Sequence, residues 1–108
     1  MDFNEDIIAC AGLVERGDPD RFRTVMAAPI EQRPILFALY AFNVEVARAP
    51  WVTQETMIAE MRLQFWRDVL EEISAGKAPR RHEVATPLAE ILTPGDAVLL
   101  DQLVAIRR

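Results

Sequence analysis

The feature that most constrains this 108-residue chain is an unbroken apolar run, ILFALYAF, from Ile35 to Phe42. A helix built from it is apolar on every side, which is typical of a helix buried at the centre of a protein. Pro34 lies early enough to be tolerated in the first turn, and the helix turns polar before Pro50. The run is roughly half as long as a membrane span requires. Other elements of the chain must therefore cover this central helix.

Prolines, glycines and capping residues predict the helices around it. The first helix is expected from about Asn4 to Glu15, with Gly17 stopping it. Asp18-Pro19 predicts the cap and first residue of a short helix to Met26 or Ala27. Thr-Pro pairs predict two more starts by the same signal. The remaining predicted segments are the central helix from Pro29, a long helix from a Thr53 cap to Ala75 before Gly76, a loop from Lys77 to Glu83, a short helix from Thr86-Pro87 to Leu92, and a last helix from Thr93-Pro94 to about Ile106.

Helical periodicity is clearest in the long segment. Two apolar rows are predicted to face the core, one of Met61, Phe65, Val69 and Ile73 and one of Leu63, Trp66, Leu70 and Ile73. The opposite, polar stripe comprises Glu60, Gln64, Arg67 and Glu71, with an expected charge pair between Arg67 and Glu71. Only 4 glycines and few β-branched runs interrupt the chain. We therefore predict an all-α helix bundle forming one domain over residues 1–108.

Charge and cysteine content exclude several classes of protein. A net charge of -5 argues against binding to nucleic acid, and the short basic cluster (Lys77, Arg80, Arg81, His82) is interpreted as a solvated loop. Cys10 is the only cysteine, so no internal disulfide forms. The MDFNED start is unlike a signal peptide, and we expect a cytoplasmic protein without a membrane span. The apolar last helix needs a cover, either the body of the protein or a second copy, and a homo-oligomer is predicted.

Residues 33–76 carry a resemblance to a known family. Leu39-Tyr40-Ala41-Phe42 matches an LYAF-type segment, and Arg62-Leu63 with Trp66 and Leu70 matches an RLxxWxxxL-type pattern. Both are similar to the N-terminal half of squalene/phytoene synthases. The resemblance implies half of an isoprenoid-synthase-type fold. It also implies head-to-head condensation of isoprenoid diphosphates, which Mg²⁺ ions held by aspartates bind.

The metal-binding aspartates are the point of departure. The positions of the family's first aspartate-rich motif fall on Ala47, Arg48 and Trp51, and none of these side chains binds Mg²⁺. The spacing of three acidic residues, Asp68, Glu71 and Glu72, resembles that of a metal site, but we interpret them as the solvent-exposed face of a helix. We therefore expect no catalytic residues, no metal site and no cofactor. Mg²⁺ is expected only if the chain is a prenyltransferase.

One branch of the family resembles the chain more specifically. The segments AFNVE, from Ala41 to Glu45, and MRLQFW, from Met61 to Trp66, are similar to the complex I assembly factor-like branch. That resemblance implies a non-catalytic protein that assists assembly of a respiratory complex. Its expected partners are respiratory-complex subunits, and its expected location includes the periphery of the inner membrane. The alternatives are a Mg-dependent head-to-head prenyltransferase, or a fragment of one, and a helical module that only dimerises.

A ligand cavity is predicted from the same two segments and the adjoining Tyr40. The candidate residues for an isoprenoid or lipid cavity are Tyr40, Phe42, Asn43, Glu45, Arg62, Phe65 and Trp66. For the aromatic residues the alternative is an ordinary core position. Arg62 lies near the apolar face of its helix, and we name Glu45 as its candidate partner. The alternative is an arginine whose stem packs while its charged head stays in water.

Overall fold

The computed structural model describes residues 3–48 and 56–106, and their regular structure is entirely helical. The elements in chain order are α1 (Glu5–Gly17), α2 (Pro19–Met26), a short 3₁₀ turn (Ile30–Gln32), α3 (Arg33–Arg48), α4 (Thr56–Ser74), α5 (Ala85–Ile91) and α6 (Pro94–Ile106). The prediction of an all-α helix bundle is confirmed. The predicted Thr53 cap lies outside the described residues. None of the helices described in these two ranges is long and apolar enough to cross a membrane.

Side chains cap the starts of α1, α2 and α6, and the caps at Asp18 and Thr93 were predicted. The Asn4 side chain accepts a hydrogen bond from the backbone N–H of Ile7 at 3.0 Å, and Asp18 caps α2 ahead of Pro19. At the start of α6, Thr93 and Asp96 exchange two bonds of 3.1 Å between side chain and backbone N–H. This reciprocal pair is a capping box with aspartate in the third position.

Helix α4 is followed by Gly76, which adopts a left-handed backbone conformation. Gly76 has φ of 75°, a conformation that costs glycine little. Its N–H bonds the Ile73 carbonyl at 3.0 Å, and the Lys77 N–H reaches back to the Glu72 carbonyl at 2.9 Å. These two bonds form a Schellman motif. Gly17, by contrast, is the last residue of α1, as predicted, but its φ is not positive, so α1 ends without a left-handed glycine.

The core is one cluster drawn from both ends of the chain. Helix α3 lies against α1, and α4 lies against α6, as the two most extensive contacts between elements. Phe37, Leu70 and Leu88 are among the largest fully buried side chains. The central helix is nonetheless not buried on every side, because Ile35 is 41% exposed. Met61, which was predicted on an apolar row of the long helix, is also exposed.

Helix α6 folds back onto α4 and buries Ala97 and Val104 against it. The polar stripe predicted for α4 is therefore partly an interhelical surface. Arg67 bonds both carboxylate oxygens of Asp101, at 2.8 and 3.1 Å, and is not paired with Glu71 as predicted. A bidentate pair of this kind fixes the register of two helices as well as joining them. The fold-back does not test the predicted homo-oligomer, which stays a prediction.

Candidate functional site

The predicted cavity residues lie at two separate pockets. Tyr40, Phe42 and Asn43 line the first, whereas Glu45, Arg62, Phe65 and Trp66 line the second. The reason is helical geometry, because successive positions near the end of α3 point to different sides of the helix. Phe42 and Trp66 touch edge to face, with ring centroids 5.4 Å apart.

The first pocket is an apolar groove between α2, α3 and α6, with a volume of about 510 Å³. Its apolar walls come from α3 and α6, and its polar groups are the guanidinium of Arg21, the hydroxyl of Tyr40 and the amide of Asn43. The lining residues are Arg21, Leu39, Tyr40, Phe42, Asn43, Val46, Leu100, Leu103 and Val104. A groove of this size and composition suits an apolar ligand with a small polar end.

Arg21 stands at the polar side of the first pocket. Its guanidinium lies 5.4 Å from the centroid of the Tyr40 ring and bonds the Asp18 carboxylate at 2.9 Å. A stacked arginine with its charge partly balanced keeps donors free for a polar ligand group. Sequence reasoning missed Arg21 and the α6 residues of this pocket, because α2, α3 and α6 come together here from distant parts of the sequence and leave no local signal. The need of the last helix for a cover was the one available indication.

The second pocket is smaller, about 230 Å³, and its floor is aromatic. The rings of Phe65 and Trp66 stand 5.0 Å apart, and each lies 5.3 Å from the ring of His82. His82 was predicted to belong to a solvated basic loop, yet it lines this pocket. Its position four residues before Thr86 and just ahead of a helix start was the signal for a capping role.

Arg62 is exposed, and within the described residues it forms no ion pair with Glu45 inside 4 Å. This position fits an arginine whose charged head stays in water. Two of the basic side chains in the loop are paired within the chain. Arg80 pairs with Glu72 at 3.4 Å, and Arg81 pairs with Asp6 at 2.8 Å. These two pairs reduce the positive charge that the loop presents to solvent.

Cys10 is fully buried, and its thiol contacts the Glu83 carbonyl oxygen at 3.4 Å. Burial, followed by the negative charges of Glu83, Asp6 and Glu45, raises the pKa of this thiol from 9.0 to about 12. The thiol is therefore kept protonated, which suits a structural residue and not a nucleophile.

A pH dependence of stability follows from the Cys10 pKa. The unfolded chain loses the thiol proton near pH 9, while the native chain holds it to about 12, so the free energy of unfolding falls as pH rises through that window. We expect Cys10→Ala to remove this loss. The loss is measured by comparing urea midpoints at about pH 8 and about pH 10.5 in both proteins. Other groups that titrate at alkaline pH contribute equally to the two proteins, so the difference between the proteins reports on Cys10. An equal loss in both proteins would contradict the assignment.

Comparison with known proteins shows which family the chain belongs to. The family model described as squalene/phytoene synthase matches residues 14–99, which include both pockets apart from the end of α6. The chain belongs to this family. No solved structure matches it.

Curated proteins that match part of the chain carry more specific names than the family model does. A Drosophila melanogaster protein named "NADH dehydrogenase (ubiquinone) complex I, assembly factor 6 homolog" is 44% identical over 64 residues, which cover 58% of this chain and 19% of that protein. The human protein named "NADH dehydrogenase (ubiquinone) complex I, assembly factor 6" is 35% identical over 72 residues, covering 67% of this chain and 22% of that protein. The chain thus spans about a fifth of the length of these relatives.

Two of the three positions where the resemblance places the family's aspartates lie in the described part of the fold. Ala47 and Arg48 are the last two residues of α3, and Arg48 is exposed. The third position, Trp51, lies outside the described residues. Across residues 3–48 and 56–106, no group of three His, Cys, Asp or Glu side chains is arranged to hold a metal ion. The Asp68, Glu71 and Glu72 run is not such a group either, and Glu72 is bonded to Arg80.

Proposed function

We propose that the chain is part of a non-catalytic squalene/phytoene synthase-like protein that assists assembly of a respiratory complex. The observation that carries the proposal is the partial sequence identity between the chain and proteins named complex I assembly factor 6, which is 44% over 64 residues and 35% over 72 residues in the two relatives above. The absence of carboxylates at Ala47 and Arg48 supports the non-catalytic part. The predicted cytoplasmic location and contact with the inner-membrane periphery belong to the same proposal.

The residues of the first pocket do not fit magnesium. Mg²⁺ is usually held by one or two carboxylates together with substrate phosphates. Of the described residues that line the first pocket, none is an aspartate or a glutamate. The proposed function therefore includes no metal-dependent prenyl transfer.

The first pocket supports a lipid-binding role instead of metal-dependent prenyl transfer. Its walls are apolar side chains of α3 and α6, and Arg21, Tyr40 and Asn43 supply polar groups for one end of a ligand. An isoprenoid or similar lipid buries its chain along Leu100 and Leu103 and leaves its polar end near Arg21. Burial of the apolar chain supplies the driving force, and no metal is needed.

Lipid binding predicts a contrast between two leucines of α6. Leu103 lines the first pocket, whereas Leu99 does not, although both are exposed, by 57% and 62% respectively. Leu103→Glu should weaken farnesol binding about tenfold or more, because it places a charge against the apolar chain. Leu99→Glu is the matched control and should leave affinity unchanged. The measurement is a calorimetric titration with EDTA present, and equal effects of the two changes would contradict a lipid site in this groove.

The assembly role is tested in the whole protein. Its isolation from the cells that make it should bring down subunits of a respiratory complex, and its deletion should lower the level of the assembled complex. Incubation with farnesyl diphosphate and Mg²⁺ should release no diphosphate. Mg-dependent turnover would sink the non-catalytic proposal and favour the prenyltransferase alternative.

A further inference from the structure

The second pocket is a mixed-charge site that the proposed function does not use. It lies between the end of α3, the first half of α4 and the residues ahead of α5, and it shares no lining residue with the first pocket. A carboxylate (Glu45), a guanidinium (Arg62) and an imidazole (His82) meet there beside the rings of Phe65 and Trp66. Side chains of these three kinds bind ligands by different and complementary hydrogen bonds.

The backbone of α5 fixes which nitrogen of His82 is available. Its Nδ1 atom accepts from the N–H groups of Val84 at 3.0 Å and Ala85 at 3.4 Å. The backbone N–H of His82 in turn donates to the Thr86 hydroxyl at 3.1 Å. A neutral imidazole that accepts at Nδ1 carries its hydrogen on Nε2. His82 therefore presents a hydrogen-bond donor, held in place by the helix start.

The two charges at this pocket restrict what it can bind. Glu45 is half-buried and Arg62 is exposed, and they form no ion pair with each other inside 4 Å. A simple anion is attracted by Arg62 but repelled by Glu45, and a simple cation is attracted by Glu45 but repelled by Arg62, so neither gains from both charges. A ligand that carries an acceptor and a donor a few atoms apart satisfies both. The volume of about 230 Å³ lies below the range of pockets that enclose whole small molecules.

We propose that the second pocket binds the free C-terminus of a partner polypeptide. The terminal carboxylate accepts from Arg62 and from Nε2–H of His82, as charge-assisted bonds. The amide N–H of the last residue donates to the Glu45 carboxylate, and its side chain lies against Phe65. Capture of a terminal carboxylate is an established mode of peptide recognition.

The surface next to the pocket favours a polypeptide over a free amino acid. Ile58 and Met61 are 40% and 65% exposed, and they lie one helical turn before Arg62 and Phe65 on α4. Residues four apart are neighbours on one side of a helix. A polypeptide that ends in the pocket can cover these apolar side chains with its preceding residues, whereas a free amino acid leaves them in water.

The test is an NMR titration of the ¹⁵N-labelled chain with the peptide acetyl-Leu-Ala-Leu as a free acid. We expect saturable shifts at the Trp66 indole and at the backbone of Glu45 and Phe65. The same peptide with an amide at its C-terminus should bind about tenfold more weakly or worse, because it has lost the carboxylate. Arg62→Gln should have a similar effect on the acid, and since Arg62 is exposed, the fold should be retained.

Three controls separate the alternatives. Arg23→Gln replaces an arginine that is 73% exposed on α2 and paired with Asp20, and it should leave binding unchanged. Equal affinity for the acid and the amide, or no saturation by about 10 mM peptide, would overturn the proposal. Free L-leucine that binds as well as the peptide would overturn the assignment to a polypeptide. Because the first pocket shares no lining residue with this site, none of these outcomes bears on the lipid proposal.

Discussion

Trp66→Ala should lower the free energy of unfolding by about 3–5 kcal/mol, which is the usual cost of removing a buried aromatic side chain. Trp66 is 3% exposed and touches three other rings. Phe42, Phe65 and His82 lie 5.4, 5.0 and 5.3 Å from it, each nearly edge to face. These contacts join α3, α4 and the segment before α5, so the cavity left by alanine cannot be closed by one side chain.

The measurement is urea denaturation followed by far-ultraviolet circular dichroism, since removal of a tryptophan alters fluorescence. Met61→Ala is the matched control on the same helix, because Met61 is 65% exposed, and its effect should lie within about 0.5 kcal/mol. Trp66→Phe should fall between the two. A loss below about 1 kcal/mol for Trp66→Ala would show that this ring cluster does not stabilise the fold as described.

The ends of the helices were predictable because their signals are local. Asp18-Pro19 and Thr93-Pro94 place a capping oxygen and a fixed φ within two residues, and both helices begin where those pairs predict. Helix α5 shows the limit of that signal. It begins at Ala85, one residue before the predicted Thr86 cap, because the His82 side chain accepts the first N–H groups.

The partners of α4 were not predictable from its own periodicity. Arg67 reads as a surface residue beside Glu71, but α6 covers that stripe and brings Asp101 to it. The two residues are 34 positions apart, and no local pattern reports such a pairing. Met61 lies on an apolar row and is exposed, since nothing in the described residues covers that end of the row. Periodicity identifies a helix and its faces, but not what packs against each face.

The site was predicted in its residues but not in its arrangement. AFNVE supplies residues to both pockets and MRLQFW only to the second, whereas one cavity was expected from the two segments. The division arises from the direction of each side chain on α3, where Asn43 and Glu45 face different pockets. His82 and Arg21 complete the two pockets from loops and helices distant in sequence, which is why sequence reasoning did not include them.

Gly17→Ala should lower the free energy of unfolding by about 1–3 kcal/mol, the range typical of overpacking a closed core. A Cβ atom at Gly17 would stand 2.6 Å from Cγ1 of Val44, well inside contact distance. Val44 is 4% exposed and β-branched, so its methyl group has little freedom to move away. The absence of a side chain at Gly17 thus allows the end of α1 to approach α3 closely.

A double-mutant cycle with Val44→Ala identifies the cause. If the clash with Val44 is responsible, Gly17→Ala should cost little in the Val44→Ala background, with a coupling energy of about 1–2 kcal/mol. Gly12→Ala is the control within α1, because its Cβ would meet only the flexible end of Arg16, 3.2 Å away. That change should be neutral or stabilising, since alanine favours a helix interior by up to about 1 kcal/mol over glycine. Additive effects in the cycle would contradict the close approach of α1 and α3 as the reason for glycine at this position.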